Sequence, residues 1–192
     1  MHTMLNKGIE NNFSQLRKTM LQEAGVKSFL DKDSSNAPTL AFVSALDFTK
    51  NPALHKEVFG PFSLLVECEN KEEMKDVIDQ LEGQLTATIM ADSTDIENYM
   101  DLIPTIQDKV GRLIFNATPT GVEVCHSMHH GGPFPATTDS RFTSVGTKAI
   151  KRFVRPICFQ NAPEALLPEA LKDSNPLGIY RLINGVLSAN SI

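Results

Sequence analysis

The sequence predicts an α/β protein: three α/β/α layers built around a mostly parallel sheet. Two observations carry that expectation. From Thr39 to Asn116, short apolar runs alternate with amphipathic helical patterns in a strand–helix–strand–helix–strand rhythm, which implies crossovers and a sheet covered on both faces. The chain of 192 residues fits a single domain over 1–192, long enough to bury a core without covalent staples.

The elements follow in order. Leu5, Ile9, Phe13, Leu16 and Met20 recur at spacings of three and four, so the first 23 residues read as a helix with one apolar stripe, and Gly25 is placed to stop it. A polar loop covers Asp31 to Asn36, and Thr39–Val43 reads as a buried strand. Two prolines make Asn51–Pro61 irregular. Phe62–Cys68 reads as a strand. Asn70 with Glu73 three residues on forms a capping-box variant for a helix to about Leu81, with Met74, Val77, Ile78 and Leu81 inward. Gly83 ends that helix, and Leu85–Met90 is the next strand. Asp92 or Ser93 caps a helix to about Ile106, and Gly111–Asn116 is a strand again.

From Ala117 to Ser144 the chain changes character. Gly and Pro punctuate a long loop, and loops of that length are usually functional or laid over something. A helix is expected over Thr143–Arg155, stopped by Pro156, then a strand at Ile157–Gln160 and a short helix or turn over Ala162–Leu171. Ile179–Leu187 reads as a terminal strand with a Gly-containing bend. A hydrophobic strand at a chain end is an open edge unless paired, so 179–192 is a candidate oligomerisation strand.

Composition narrows the function. With 18 Lys and Arg against 23 Asp and Glu, the net charge is −5, which argues against a nucleic-acid partner, usually marked by a clustered basic surface. No apolar run approaches a membrane span, and Met1–Lys7 does not resemble a secretory leader. Three widely spaced cysteines, Cys68, Cys125 and Cys158, suit reduced thiols better than a disulfide framework. Together these point to a cytoplasmic location.

Several clusters could carry chemistry. In Glu57-Val58-Phe59-Gly60-Pro61, a carboxylate could accept hydrogen bonds from a ribose diol, the ring two residues on could sit against a planar ring, and Gly-Pro would fix the turn. The plainer alternative is that Phe59 fills core and Glu57 is a solvated loop acid. Cys125-His126-Ser127-Met128-His129-His130 gathers thiol and imidazole. Adjacent residues converge poorly on one tetrahedral ion, however, and no distant Cys-x-x-Cys completes a zinc set. A Cys125–His129 or Cys125–His130 nucleophilic dyad lacks a third orienting group. Gly131-Gly132-Pro133-Phe134-Pro135 permits close backbone approach, to a ligand or as a tight corner. No Gly-x-Gly-x-x-Gly dinucleotide fingerprint and no His-Glu-x-x-His occurs.

Longer motifs go further. His55–Phe62 resembles the Glu-Val/Ile-Phe-Gly-Pro motif of the aldehyde dehydrogenase superfamily, and Gly111–Asn116 resembles that family's following Gly-x-x-x-x-Asn element. Pro119–Val124, Gly131–Thr137, Arg152–Pro156, Gln160–Pro163 and Asn175–Gly178 are similar to the branch that oxidises 2,5-dioxopentanoate, the semialdehyde of α-ketoglutarate. The resemblance covers essentially the whole chain. It implies the catalytic-domain type of that family, incomplete at its N-terminal side. In the family, the nucleophilic cysteine sits in a Gly-Gln-x-Cys motif and the general-base glutamate also lies upstream. Here Gly83-Gln84 is followed by Leu85-Thr86, and none of Cys68, Cys125 or Cys158 matches the nucleophile.

The resemblance further implies oxidation of an aldehyde to its acid through a cysteine thioester, with NADP or NAD as cofactor. Glu57 matches the residue that holds the nicotinamide ribose, and Phe59 the one beside the nicotinamide ring. Val122, Val124 and Phe134 fall in the region that walls the aldehyde pocket. His126, His129 and His130 are then loop or pocket rim, with no metal site and no catalytic residue in this chain. The expected partners are a small aldehyde, a missing N-terminal cofactor domain and further copies in a homo-oligomer. The alternative is a non-catalytic α/β interaction module derived from the same fold.

Overall fold

The computed structural model describes residues 4–29 and 37–192; the polar loop expected over Asp31–Asn36 lies outside them. Contacts group the chain into two compact units, 1–152 and 153–192.

The first unit begins with helix α1 (Lys7–Gln22), whose Asn6 side chain accepts the backbone N–H of Ile9 at 2.9 Å. Phe13, Arg17, Met20 and Leu21 are its buried residues. Leu5 precedes the cap and stays exposed. The helix ends at Glu23, and Gly25 then turns the chain with φ 81°, a conformation that costs glycine least. Strand β1 (Lys27–Ser28) runs antiparallel to β2 (Thr39–Ser44), and β2 pairs in parallel with β3 (Phe62–Glu67) in the register Thr39–Phe62 to Ser44–Glu67. A short helix α2 (Ala45–Lys50), absent from the sequence expectation, leaves β2 directly. Ser44 caps it, accepting Asp47 N–H at 3.1 Å. A 3-10 turn follows at Pro52–His55.

Helix α3 (Lys71–Gln80) starts as expected: Asn70 Oδ1 accepts Glu73 N–H at 2.9 Å, and the Glu73 carboxylate accepts Glu69 N–H at 2.9 Å. Val77 and Leu81 pack against the core, whereas Met74, expected inward, is exposed. Its position three residues before Val77 gave it the right period but places it at the margin of the stripe. The core itself joins Phe13, Met20 and Leu21 of α1 to Ala41 and Val43 of β2, with Phe48, Leu54 and Val58.

Strand β4 (Gln84–Ile89) pairs in parallel with β5 (Val110–Phe115). Between them lie α4 (Ser93–Tyr99), capped reciprocally by Asp92 and Asp95, a 3-10 turn at Met100–Leu102, and α5 (Ile103–Gln107). The single expected helix is broken where Pro104, at the start of α5, has no N–H to continue the ladder. The α/β character with parallel pairing is therefore observed. However, the parallel strands form two sheets, β1-β2-β3 and β4-β5, rather than the one sheet expected.

Past β5 the long loop contains no strand or α-helix. The helix expected over Thr143–Arg155 does not form; a 3-10 turn at Ala149–Phe153 stands in its place. Thr143 is buried and its hydroxyl is spent on the loop, while Gly146 adopts φ 92°, which no α-helix contains.

The second unit holds two 3-10 turns, Glu164–Leu166 and Glu169–Leu171, and a hairpin of β6 (Arg181–Ile183) and β7 (Val186–Ser188). Asn184 (φ 49°) and Gly185 (φ 84°) make its turn, the pairing that two-residue hairpins favour. The terminal strand is thus a hairpin. Ile157–Gln160, expected as a strand, has no ladder partner among the described residues. Asn175 organises the unit: its amide donates to the carbonyls of Ile179 (3.0 Å) and Ala189 (2.7 Å).

Candidate functional site

The segment Glu57–Pro61 is held from both sides. Leu54 and Val58 are buried in the core and act as its pins. Asn51 accepts Ala53 N–H at 3.1 Å, and His55 Nε2 meets the Phe48 carbonyl at 2.9 Å with the two rings 4.4 Å apart. Downstream, the Pro61 carbonyl accepts Thr39 N–H at 2.9 Å, tying the segment to β2. Gly60, at φ 149°, lies against the ring of Phe13 so closely that a Cβ there would overlap it.

With Val58 pinned inward, its neighbours project outward. Glu57 is exposed and Phe59 is 58% exposed. Both line an open groove of about 520 Å3 with Met20, Lys56 and Phe62. Among the described residues the Glu57 carboxylate has no hydrogen-bond or ion-pair partner. The core-filling role open to Phe59 in the sequence is taken by Val58. The pair therefore offers a hydrogen-bond acceptor and a flat apolar face side by side at a surface groove.

The long loop and the strand ends beneath it are fixed by Arg112, Asn116 and Thr143, of which the sequence motifs marked out only Asn116. Arg112 on β5 donates to the carbonyls of Gly121 (2.7 Å) and Pro119 (2.8 Å). Asn116, at φ 48°, accepts Ala91 N–H and donates to the Ala91 carbonyl (2.9 and 2.8 Å), clamping the end of β4 to the end of β5. Thr143 Oγ1 accepts His130 N–H at 2.8 Å and donates to the Val145 carbonyl at 2.7 Å. Gly131 and Gly132 are buried. A Cβ on Gly83 or Gly111, at the starts of β4 and β5, would overlap the carbonyls of Pro133 or Gly131. The glycines of this loop thus serve backbone-to-backbone approach onto the β4–β5 ladder. The signal was present in sequence as glycines at both strand starts, but it has meaning only once the contact is seen.

Val122, Val124 and Phe134 are 50%, 79% and 79% exposed, and none of them lines the groove at Glu57. A second, larger groove of about 1140 Å3 runs from His55, Lys56 and Glu57 to Pro135 and Ala136, next to Phe134. In the histidine run, Cys125 Sγ lies 3.4 Å from Ser127 Oγ and His126 Nδ1 lies 3.2 Å from Thr147 Oγ1. Among the described residues no three His, Cys, Asp or Glu side chains are grouped to hold a metal. Burial pushes the Cys68 thiol above its usual range, helped by the carboxylate of Glu73.

Compared with known proteins, this chain is 46% identical over 197 residues, 97% of its length, to the alpha-ketoglutaric semialdehyde dehydrogenase of Acinetobacter baylyi. It is 45% identical over 187 residues to alpha-ketoglutaric semialdehyde dehydrogenase 2 of Azospirillum brasilense. Its fold is similar to that of betaine aldehyde dehydrogenase from Staphylococcus aureus (TM-score 0.55, 16% identity, 80% of this chain and 30% of that one). It is also similar to succinic semialdehyde dehydrogenase from Streptococcus pyogenes, solved with NADP+ as the cofactor (TM-score 0.51, 19% identity, 66% and 27%). No protein-family model matches.

The chain is an α/β protein of the aldehyde dehydrogenase fold, and its sequence is similar over nearly its whole length to members of the aldehyde dehydrogenase superfamily. Within that superfamily, the relatives named for alpha-ketoglutaric semialdehyde share close to half of its residues, and it spans a little over one third of their length (37% and 36%). No helix among the described residues is long and apolar enough to cross a membrane.

Proposed function

We propose that the chain is the C-terminal part of the catalytic domain of an aldehyde dehydrogenase that oxidises 2,5-dioxopentanoate to its acid. The observation that carries this reading is the pair flanking Val58: Glu57 and Phe59 project into one groove from a segment pinned by Leu54 and Val58. The Glu57 carboxylate accepts hydrogen bonds from the two hydroxyls of the nicotinamide ribose, which a side chain already tied up could not do. The Phe59 ring packs against the nicotinamide face and excludes water from one side of it. NAD+ or NADP+, when bound, supplies the hydride acceptor. Val122, Val124 and Phe134 wall the aldehyde pocket. The nucleophilic cysteine and the general-base glutamate come from the remainder of the enzyme, a cofactor-binding N-terminal part, so the isolated chain does not turn over.

The tail, 179–192, is proposed to join copies of the enzyme. Leu182, Val186 and Leu187 on the hairpin are 73%, 66% and 66% exposed, and a lone two-stranded hairpin is marginal in water.

Two measurements test the reading. The isolated chain should show no NAD(P)+-dependent oxidation of 2,5-dioxopentanoate; turnover at ordinary enzyme rates would overturn the claim that the nucleophile lies elsewhere. Saturation-transfer NMR with millimolar nicotinamide riboside should show contact with the chain that Glu57→Gln and Phe59→Ala each abolish while far-UV circular dichroism stays unchanged. Transfer that survives both substitutions, or none with the unaltered chain, removes the pair from the site.

A further inference from the structure

Residues 117–124, which carry Val122 and Val124, are all exposed, so burial does not hold them in place. Hydrogen bonding does, and from one point. Within the stretch the Thr118 and Thr120 hydroxyls meet at 3.1 Å and the Glu123 carbonyl accepts Cys125 N–H at 3.0 Å, both local contacts. Among the described residues the only hydrogen bonds that reach it from elsewhere in the fold come from Arg112 on β5. Arg112 Nη1 donates to the Gly121 carbonyl at 2.7 Å and Nη2 to the Pro119 carbonyl at 2.8 Å. A Cβ on Gly121 would find no atom within 4 Å, so packing adds nothing to the grip there. Nη1 also lies 3.9 Å from the Met128 sulfur. A single guanidinium thus touches both ends of the span 119–128.

The chemistry of that contact makes it firm. No ion pair among the described residues includes Arg112, and its Nε is buried without a partner. Removing a cation from water without a counter-charge is costly, so the two loop carbonyls are the polar groups that compensate its burial. Hydrogen bonds from a charged donor are roughly twice as strong as neutral ones. The planar fork of a guanidinium also fixes two acceptors in one geometry, which the point charge of a lysine does not.

We infer that Arg112 is the positioning residue of the aldehyde-pocket wall: its hydrogen bonds to the Pro119 and Gly121 carbonyls fix the backbone from which Val122 and Val124 project, and so set how closely the pocket fits its aldehyde. The placing of Val122 and Val124 in that wall rests on the function proposed above; the tether itself does not. Arg112 touches no reacting atom, so its effect falls on fit and not on the chemical step. An apolar pocket separates substrates that differ by one methylene roughly 10–200-fold, and a wall free to drift forfeits part of that. Because 117–124 is exposed, freeing it uncovers little apolar surface, and the fold as a whole is left nearly as stable as before.

The test has two arms. In the 192-residue chain, a glutamate-specific protease should cleave after Glu123 at least tenfold faster in Arg112→Met than in the unaltered chain, since cleavage in a rapidly opening segment reports how often it opens. Arg112→Lys should fall between them, while cleavage after Glu69 and the far-UV circular dichroism stay unchanged. If Arg112→Met does not fold, Arg112→Lys and Arg112→Gln carry the comparison. Equal cleavage after Glu123 in all variants, or faster cleavage at both sites, overturns the inference. The second arm uses the Acinetobacter baylyi relative with its matching segment replaced by this chain. There Arg112→Met should raise KM for 2,5-dioxopentanoate at least fivefold and change kcat less than twofold, and Arg112→Lys should recover part of the KM. A loosened loop with unchanged KM takes Val122 and Val124 out of the pocket wall and overturns the positioning role; a fall in kcat with KM unchanged overturns it as well. A chimera that oxidises no aldehyde counts against the activity proposed above, and the protease result then decides the tether by itself.

Discussion

Replacing Gly60 by alanine tests how the Glu57–Phe59 segment is joined to the core. Two costs add. Gly60 sits at φ 149°, a region that an L-residue enters at about 1–3 kcal/mol. Its new Cβ would also overlap the ring of Phe13, which is fully buried and has no room to retreat; such overpacking costs about 1–3 kcal/mol. The stiffer unfolded chain returns about 0.4–1 kcal/mol. Gly60→Ala should therefore destabilise the first unit by about 3 kcal/mol, within a range of about 1–5 kcal/mol. With a urea slope of about 1–3 kcal/mol/M, the midpoint in a circular-dichroism titration should fall by roughly 1–2 M. Phe13→Leu removes ring atoms at the point of overlap, so the double variant should be less damaged than the two single effects summed, by about 0.5–3 kcal/mol. A midpoint shift near zero, or strict additivity, would refute the idea that the helix α1 aromatic sets the shape of this turn.

Three further outcomes are expected. Asn70→Ala should cost about 1 kcal/mol by urea titration, because the Asn70 side chain satisfies Glu73 N–H at the start of α3; unchanged stability would show that water replaces the cap freely. Arg141, within 2.6 Å of Asp139, holds that carboxyl down at about 2. Since this lies below the unfolded value of about 3.9, the stabilisation it brings is complete above that pH and is lost as pH falls through about 2; in a carboxyl NMR titration Arg141→Ala should move the midpoint back up, and an unmoved midpoint would disprove the pairing. Cys68, with its thiol pushed up by burial, should react with iodoacetamide at pH 8 more slowly than the exposed Cys158, and peptide mapping showing the opposite order would contradict that environment.

Local chemistry was legible in the sequence, and partnership was not. Asn70 was recognisable as a cap, and the second cap was narrowed to Asp92 or Ser93, because a cap is encoded in one side chain and the backbone just after it; the structure selects Asp92. β2 and β3 were recognisable because a short apolar run bounded by turn residues marks a buried strand. Nothing in such a pattern says which edge a strand will meet, so the division into two sheets could not be read. The helix expected over Thr143–Arg155 had suitable apolar spacing at Val145, Ala149 and Ile150, but tertiary hydrogen bonds from Thr143 and the left-handed turn at Gly146 overrode it. In the tail, Asn184-Gly185 is a two-residue turn signal, and it makes a hairpin of the bent strand that the apolar pattern predicts. At the candidate site, Glu57 and Phe59 stood out as residue types, whereas the part played by Val58, filling the core so that its neighbours project outward, needed coordinates. Arg112 escaped notice because an arginine whose guanidinium binds two loop carbonyls looks, in sequence, like any solvated charge.

The loop over 131–135 rests on β4 and β5 through bare glycine backbone, with no side chain between to act as a cushion. Such a joint is stiff: a tilt of the ladder beneath it travels into Phe134 undamped, as a lever moves with its axle.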